Sequence, residues 1–236
     1  MKIIENIKDL KALLNDLKAK NHNIGLIPTM GSIHKGHLSL VKKSLNYGLF
    51  SLVTIYVNPT QFNSKVDYIN YPRNKLEDIK KLKRIKCDAV YFPKDKDIYP
   101  KGYKILKSVK QYRKILCDKF RPGHFDGVIT VVRSLLSLTN PKIVFFGEKD
   151  FQQLKIIEIL ITNFSIPTKI NKCKSIRYTN GMSISSRYKN FTKKDKIIFN
   201  NSAKEIKKTL NKYKKNFSEK EIKNLNVKLL KIGVKK

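Results

Sequence analysis

A short apolar run, Ile24-Gly25-Leu26-Ile27, leads directly into Pro28-Thr29-Met30-Gly31-Ser32-Ile33-His34-Lys35-Gly36-His37-Leu38. The run reads as a buried strand, and Pro28, with no N–H for a sheet ladder, is expected to stop it. Leu38, Leu40, Val41 and Leu45 then recur at helical spacing, so a helix opens near Gly36 and runs to about Tyr47. Residues 50–57 are β-branched and apolar, a second buried strand. Strand, helix, strand in this order makes a parallel crossover unit. The chain is thereby committed to an α/β fold with a parallel sheet. Ligands of such sheets bind beyond the carboxyl ends of the strands. Thr29 and Met30 fall at one such end and residues 58–61 at another, so the two stretches can share one crevice.

The turn at 29–37 has the chemistry of an anion site. A helix N-terminus presents unpaired N–H groups and a positive dipole end. Gly31 and Gly36 let the backbone bend or approach a ligand. His34 and His37 add imidazole donors, and the chain has only four histidines in all. Taken alone, the stretch also fits a plain strand–turn–helix joint with two surface histidines. Gly147-Glu148-Lys149-Asp150 is a second strand-to-helix turn, with a lysine able to meet a phosphate as a point charge. Gln152 and Gln153 follow it, and Gln61 and Asn58 lie in the 58–61 loop; such amides donate and accept, which suits a hydroxylated carboxylate. Ser185-Ser186-Arg187 offers two hydroxyls and a guanidinium fork, a set that suits a polyphosphate.

The remaining pattern fills out the same architecture. Ile3-Ile4 reads as a short strand, and residues 9–20 as a helix with Leu10, Leu13, Leu14 and Leu17 inward. A helix is expected over 74–86 with Leu76, Ile79 and Leu82 inward, then a strand over 89–92. A further strand is expected around Ile105. Residues 121–125 form a turn before a helix over 128–138. Strands follow at 142–146 and 167–170, with a helix over 152–164 between them. Residues 177–192 read as a loop, and from Lys193 onward the pattern is helical and rich in lysine.

The net charge of +33 admits a nucleic-acid binder, since Lys and Arg neutralise phosphates. Yet the lysines are spread along the whole chain, and aromatic residues do not alternate with Arg as a stacking platform would need. Drift of composition toward Lys, Asn and Ile explains the excess equally well, so no specific nucleic acid is expected as partner. No apolar run reaches transmembrane length, and a charged helical segment follows Met1, unlike a secretory signal. A cytoplasmic protein without a membrane partner is expected. Cys87, Cys117 and Cys173 form no CxxC pair and read as buried free thiols, and no protein-held metal site is expected.

Six stretches together resemble the pantothenate synthetase (pantoate–β-alanine ligase) family. They are Pro28-Thr29-Met30-Gly31 with His34-x-Gly36-His37; Val57-Asn58-Pro59-Thr60-Gln61-Phe62; Tyr71-Pro72-Arg73; Arg121-Pro122-Gly123-His124-Phe125; Phe146-Gly147-Glu148-Lys149-Asp150-x-Gln152-Gln153; and Ser185-Ser186-Arg187. A lone HxGH is shared by many nucleotidyltransferases and class I aminoacyl-tRNA synthetases. The ordered run over about residues 1–192 is specific. Another adenylyl-transferring enzyme would leave Gln61 and Gln153 without a role.

The resemblance implies a Rossmann-like nucleotide-binding domain of the HxGH nucleotidyltransferase type over 1–176. A small, shortened, helical C-terminal domain follows over 177–236. It implies ATP with magnesium, pantoate and β-alanine as substrates, a pantoyl-adenylate intermediate and a homodimer. His37 and His34 match the catalytic histidines, and Lys149 a third catalytic position. The ATP contacts fall on Met30, Gly31, Ser32, Ile33, His34, Lys35, Gly36 and His37. Further ATP contacts fall on Gly147, Glu148, Lys149 and Asp150, on Ile176, and on Ile184, Ser185, Ser186 and Arg187. Gln61 matches a contact to pantoate and β-alanine, and Gln153 one to pantoate, with Asn58 near enough to help. Asp67 and Asp78 border the family's metal and phosphate region; magnesium is expected to come bound to ATP, with no protein ligand assigned. The chain departs from the family at Arg177-Tyr178-Thr179-Asn180-Gly181-Met182-Ser183, where Arg-Glu-x-x-Gly-Leu-Ala is usual, and at Tyr188, where Asn is usual.

Overall fold

Alternation within the strands decides which helices each face meets. In the computed structural model, which describes residues 1–214 and 218–234, Leu26, Leu52, Tyr91, Val144 and Phe146 point to one apolar cluster. Ile27, Val53, Val90 and Phe145, their chain neighbours, point to another. The sheet is therefore buried on both faces, as an all-parallel sheet must be.

The elements come in the order β1 (Lys2–Ile4), α1 (Ile7–Ala19), β2 (Ile24–Thr29), α2 (Lys35–Asn46), β3 (Phe50–Ile55), α3 (Lys65–Ile69), α4 (Lys75–Arg84) and β4 (Ala89–Tyr91). There follow α5 (Asp95–Ile98), α6 (Leu116–Phe120), α7 (His124–Thr139), β5 (Ile143–Gly147), α8 (Phe151–Asn163) and β6 (Lys169–Cys173). The six strands pair in parallel in the order β1-β4-β3-β2-β5-β6. From β2 the chain steps to β3 and β4 on one side and later to β5 and β6 on the other. Loops that leave β2 and β5 thus diverge to opposite faces and open a crevice between them, the usual ligand position in such sheets.

Several expectations need correction. Pro28 does not stop β2: it pairs with Thr54 of β3, and β2 runs on to Thr29. The missing N–H is tolerated because β5 pairs β2 only at Gly25 and Leu26 and has parted from it by that point. Leu76 is 81% exposed. Asn74 caps α4 by accepting from Glu77 N at 3.0 Å, and the register this sets turns Asp78 inward in its place, with Ile79 and Leu82 inward as expected. No strand forms around Ile105. The amides of Leu106 and Ser108 are taken by Thr130 Oγ1 at 2.9 Å and Asp126 Oδ1 at 2.6 Å, both on α7. The expected strand at 167–170 begins at Lys169, since Pro167 has no amide to give the ladder. Cys117 is exposed, whereas Cys87 and Cys173 are buried.

The chain divides into two compact units, Met1–Ser175 and Ile176–Lys236. The second unit starts with an antiparallel bridge between Arg177 and Ser183 and a 3-10 turn over Ser186–Asn190, so residues 177–192 are more ordered than a loop. Then come α9 (Lys193–Tyr213) and α10 (Glu219–Ile232). Thr192 and Asp195 close a reciprocal capping box at the start of α9. Tyr178, Tyr188, Phe191 and Phe199 pack ring to ring, with centroids 5.1–6.1 Å apart.

Candidate active site

The loop after β2 is held open by side chains that lie far off in sequence. Gly31 and Ser32 both take left-handed backbone, with φ of +81° and +50°. Glycine fits this conformation at no steric cost; serine does not. The turn is compensated by Asp78 on α4, whose buried carboxylate accepts Ser32 N at 2.8 Å and Ile33 N at 2.6 Å. One turn on, Lys81 donates to Ile33 O at 2.9 Å. Both peptide groups of Ile33 are thus taken up by α4. The amides of Ser32 and Ile33, two residues expected among the ATP contacts, are given to Asp78. Asp67 lies in the first turn of α3.

What reaches the crevice from this loop is the pair of imidazoles. His34 caps α2: its Nδ1 accepts from Gly36 N at 3.1 Å, which leaves Nε2 to carry the proton of the neutral ring. Gly36 has to be glycine, because a Cβ would lie 2.9 Å from the His34 ring. The His37 ring stacks on that of His34, centroids 4.0 Å apart and planes 16° from parallel. His37 Nδ1 is shut off from solvent with no hydrogen-bond partner among the described residues, though the residue keeps a partly open face. Burial, the His34 ring and Lys149 together hold the His37 pKa down to about 3. Two neutral, stacked imidazoles are therefore aimed at a place where Lys149 supplies the positive charge. Lys149 is exposed on the turn Glu148–Asp150 after β5 and lies 3.7 Å from the Asp150 carboxylate. The loops from the two diverging strands thus meet in electrostatic reach of each other. Lys35, Glu148 and Asp150 are exposed along the same turns.

Gln61 joins the crevice from the end of β3. Its Nε2 lies 2.7 Å from Met30 Sδ, and its Oε1 accepts from Asn58 Nδ2 at 3.1 Å, so the amide faces the nucleotide loop with its N–H end. Asn58 is fully buried, which corrects its expected contact with substrate. Its Oδ1 takes Thr60 N, Thr60 Oγ1 and the Tyr99 hydroxyl at 3.2, 2.9 and 2.6 Å, and its Nδ2 also donates to Gly127 O at 3.2 Å. It braces the loop and reaches the crevice only through its hydrogen bond to Gln61 Oε1. Gln152 is likewise structural: it spans Cys117 N, Tyr112 O and Ile115 O at 2.9–3.1 Å. Gln153, half-buried on the first turn of α8, makes no side-chain hydrogen bond among the described residues and is the one of the pair left to a ligand. The motifs placed Asp78 only at the border of the metal and phosphate region and did not mark Tyr99 or Gly127; each acts through a contact 41 or more residues away that no spacing rule encodes.

In the second unit, Ser185 is held locally. Its Oγ accepts Arg187 N at 3.3 Å, and Ile184 N donates to Ile176 O at 3.1 Å. Ser186 is buried, and Ile176 is exposed.

The family described as pantoate–β-alanine ligase matches residues 2–235. The chain belongs to that family. The curated pantothenate synthetase of Francisella tularensis subsp. novicida is 44% identical over 201 residues, 85% of this chain and 77% of the relative. A crystal structure of pantoate–β-alanine ligase from Francisella tularensis, complexed with β,γ-ATP and β-alanine, superposes with a TM-score of 0.83 at 42% identity, covering 86% of this chain and 78% of the other. The pantothenate synthetase of Thermus thermophilus gives a TM-score of 0.79 at 30% identity over 89% of this chain and 73% of the other. The ligase family accounts for the α/β sheet of the nucleotidyltransferase type and for ATP as a substrate. Among the described residues no three His, Cys, Asp or Glu side chains come together as a metal site, and Asp78 is committed to backbone amides. No described helix is long and apolar enough to cross a membrane.

Proposed function

We propose that the crevice between the ends of β2 and β5 joins pantoate to β-alanine at the expense of ATP. A pantoate carboxylate oxygen attacks the α-phosphorus, the α–β phosphoanhydride bond breaks, and pyrophosphate leaves. The amine of β-alanine then attacks the acyl carbon, the bond to the adenylate oxygen breaks, and AMP leaves with a proton lost from nitrogen. In the first step negative charge builds on the phosphoryl oxygens. His34 Nε2–H and the neutral His37 ring donate to them, and Lys149 adds a positive charge already in place; donors fixed beforehand favour the transition state over the ground state.

Gln61 and Gln153 hold the hydroxyls and carboxylate of pantoate, and Gln61 also contacts β-alanine. Gly147 and Asp150 contribute to the nucleotide side, as do Ile176, Ile184, Ser185, Ser186 and Arg187 of the second unit. Magnesium enters as the counter-ion of ATP, and the working form is a homodimer in the cytoplasm. The observation that carries the proposal is the stacked pair His34–His37 in electrostatic reach of Lys149, with the Gln61 amide turned toward the same loop. The test is the complete assay: ATP, pantoate and β-alanine supplied, AMP and pantothenate measured. Equal amounts of both products, dependent on all three substrates, support the reading. AMP release without pantoate overturns it.

A further inference from the structure

We propose that His124 is a positioning residue that sets how Gln61 is presented to pantoate; the inference rests on the assignment of Gln61 to that substrate. His124 Nδ1 lies 2.7 Å from Gln61 O. A carbonyl oxygen can only accept, so Nδ1 carries the proton. Arg121 reaches the same oxygen with a guanidinium nitrogen at 3.3 Å. His124 is buried at the first position of α7, and Gly123, at φ +80°, turns the chain so that Arg121 and His124 come to one atom.

The next turn of α7 completes the seat. Gly127 follows His124 by three positions and so shares its helix face. Its carbonyl accepts from Asn58 Nδ2 at 3.2 Å, and a Cβ there would lie 2.7 Å from the Thr60 backbone. Loop 58–61 therefore rests directly on the start of α7. Residue 61 is held at its main-chain oxygen by His124 and Arg121 and at its side-chain oxygen by Asn58. What is left to vary is the Nε2 end, which faces Met30 and the crevice. Without the His124 hydrogen bond the Gln61 peptide can rotate, and the side-chain amide swings with it. The cost falls on pantoate and spares ATP, whose loop is anchored separately by Asp78.

The experiment uses the geometry of amide side chains as stand-ins for imidazole. The Nδ2 of Asn falls near the place of ring Nδ1, whereas the amide of Gln falls near Nε2. KM for pantoate and for ATP are measured separately in wild type, His124→Ala, His124→Asn and His124→Gln, with thermal midpoints for all four. His124→Ala is expected to raise pantoate KM about tenfold, the scale of one lost buried hydrogen bond, with ATP KM within about twofold. His124→Asn recovers most of that loss and His124→Gln does not. If the alanine variant fails to fold, the Asn and Gln pair still decides. Equal pantoate KM in Asn and Gln, or an ATP KM that rises in step, overturns the role of His124. Wild-type turnover that ignores pantoate is a different failure, which removes the Gln61 assignment and this inference with it.

Discussion

Residues 31–37 and residues 184–187 are both proposed to contact ATP, and their hydrogen bonds differ in reach. The first stretch is pinned from afar: Asp78 and Lys81 grip Ser32 and Ile33 across more than 40 residues of sequence. The second is pinned by its neighbours, through Ser185 Oγ to Arg187 N and Ile176 O to Ile184 N. A loop tied into the sheet domain opens only when that packing is disturbed. A local hydrogen bond such as Ser185 Oγ to Arg187 N can break without disturbing packing far off in sequence. The fixed loop suits stabilisation of a transition state, where donors must not reorganise. The self-tied turn suits a segment that reshapes around its ligand.

The contrast can be broken at its strong end first. His37→Ala should lower turnover by about 10²–10³-fold, the usual loss for a donor to developing charge. Steady-state AMP release measures it, and a loss under about fivefold would remove His37 from that role. Asp78→Ala leaves two buried amides without acceptors and should destabilise by about 3 kcal/mol, read from urea unfolding. Asp78→Asn keeps one acceptor and should lose less. A smaller effect comes from His37 and pH. Held at about 3 against a usual 6.5, its imidazole is neutral in the fold, whereas below pH 6.5 it charges once the chain unfolds. Its stabilising contribution is whole above pH 6.5 and is lost as pH falls from there toward 3. Relative to His37→Gln, the wild type should lose on the order of 1 kcal/mol more between about pH 7 and 5, after allowance for the open face of the ring. Parallel stability curves for the two proteins would mean that His37 is ordinary. Smallest of all, Ser185→Ala should cost about 0.5–1 kcal/mol, the scale of a lost cap. A much larger loss would show that residues 184–187 are as firmly built as the loop at 31–37.

Much of the strand-end chemistry was legible because it is local. A β-branched run, a glycine turn and a helical repeat of leucines fix β2, the loop and α2 within about 25 residues. His34, His37 and Lys149 lie on such strand-to-helix turns, and the structure places them in reach of one another. The misreadings share a physical cause: a polar group answered by a distant partner. Asp78 displaced Leu76 from the inner face of α4 because its carboxylate serves the loop. Asn58 looked like a ligand contact and is a buried brace, since Tyr99 and Gly127 use up its amide. The segment around Ile105 has a strand-like pattern, yet Thr130 and Asp126 take its amides. Pro28 continued a strand because the neighbour that needed its N–H had already diverged.

The central claim is that the prebuilt loop activates pantoate before β-alanine takes part. Exchange of labelled pyrophosphate into ATP isolates that step. With β-alanine left out, the wild-type protein should exchange label only when pantoate is present. Exchange at the same rate without pantoate, or none with it, would contradict the account.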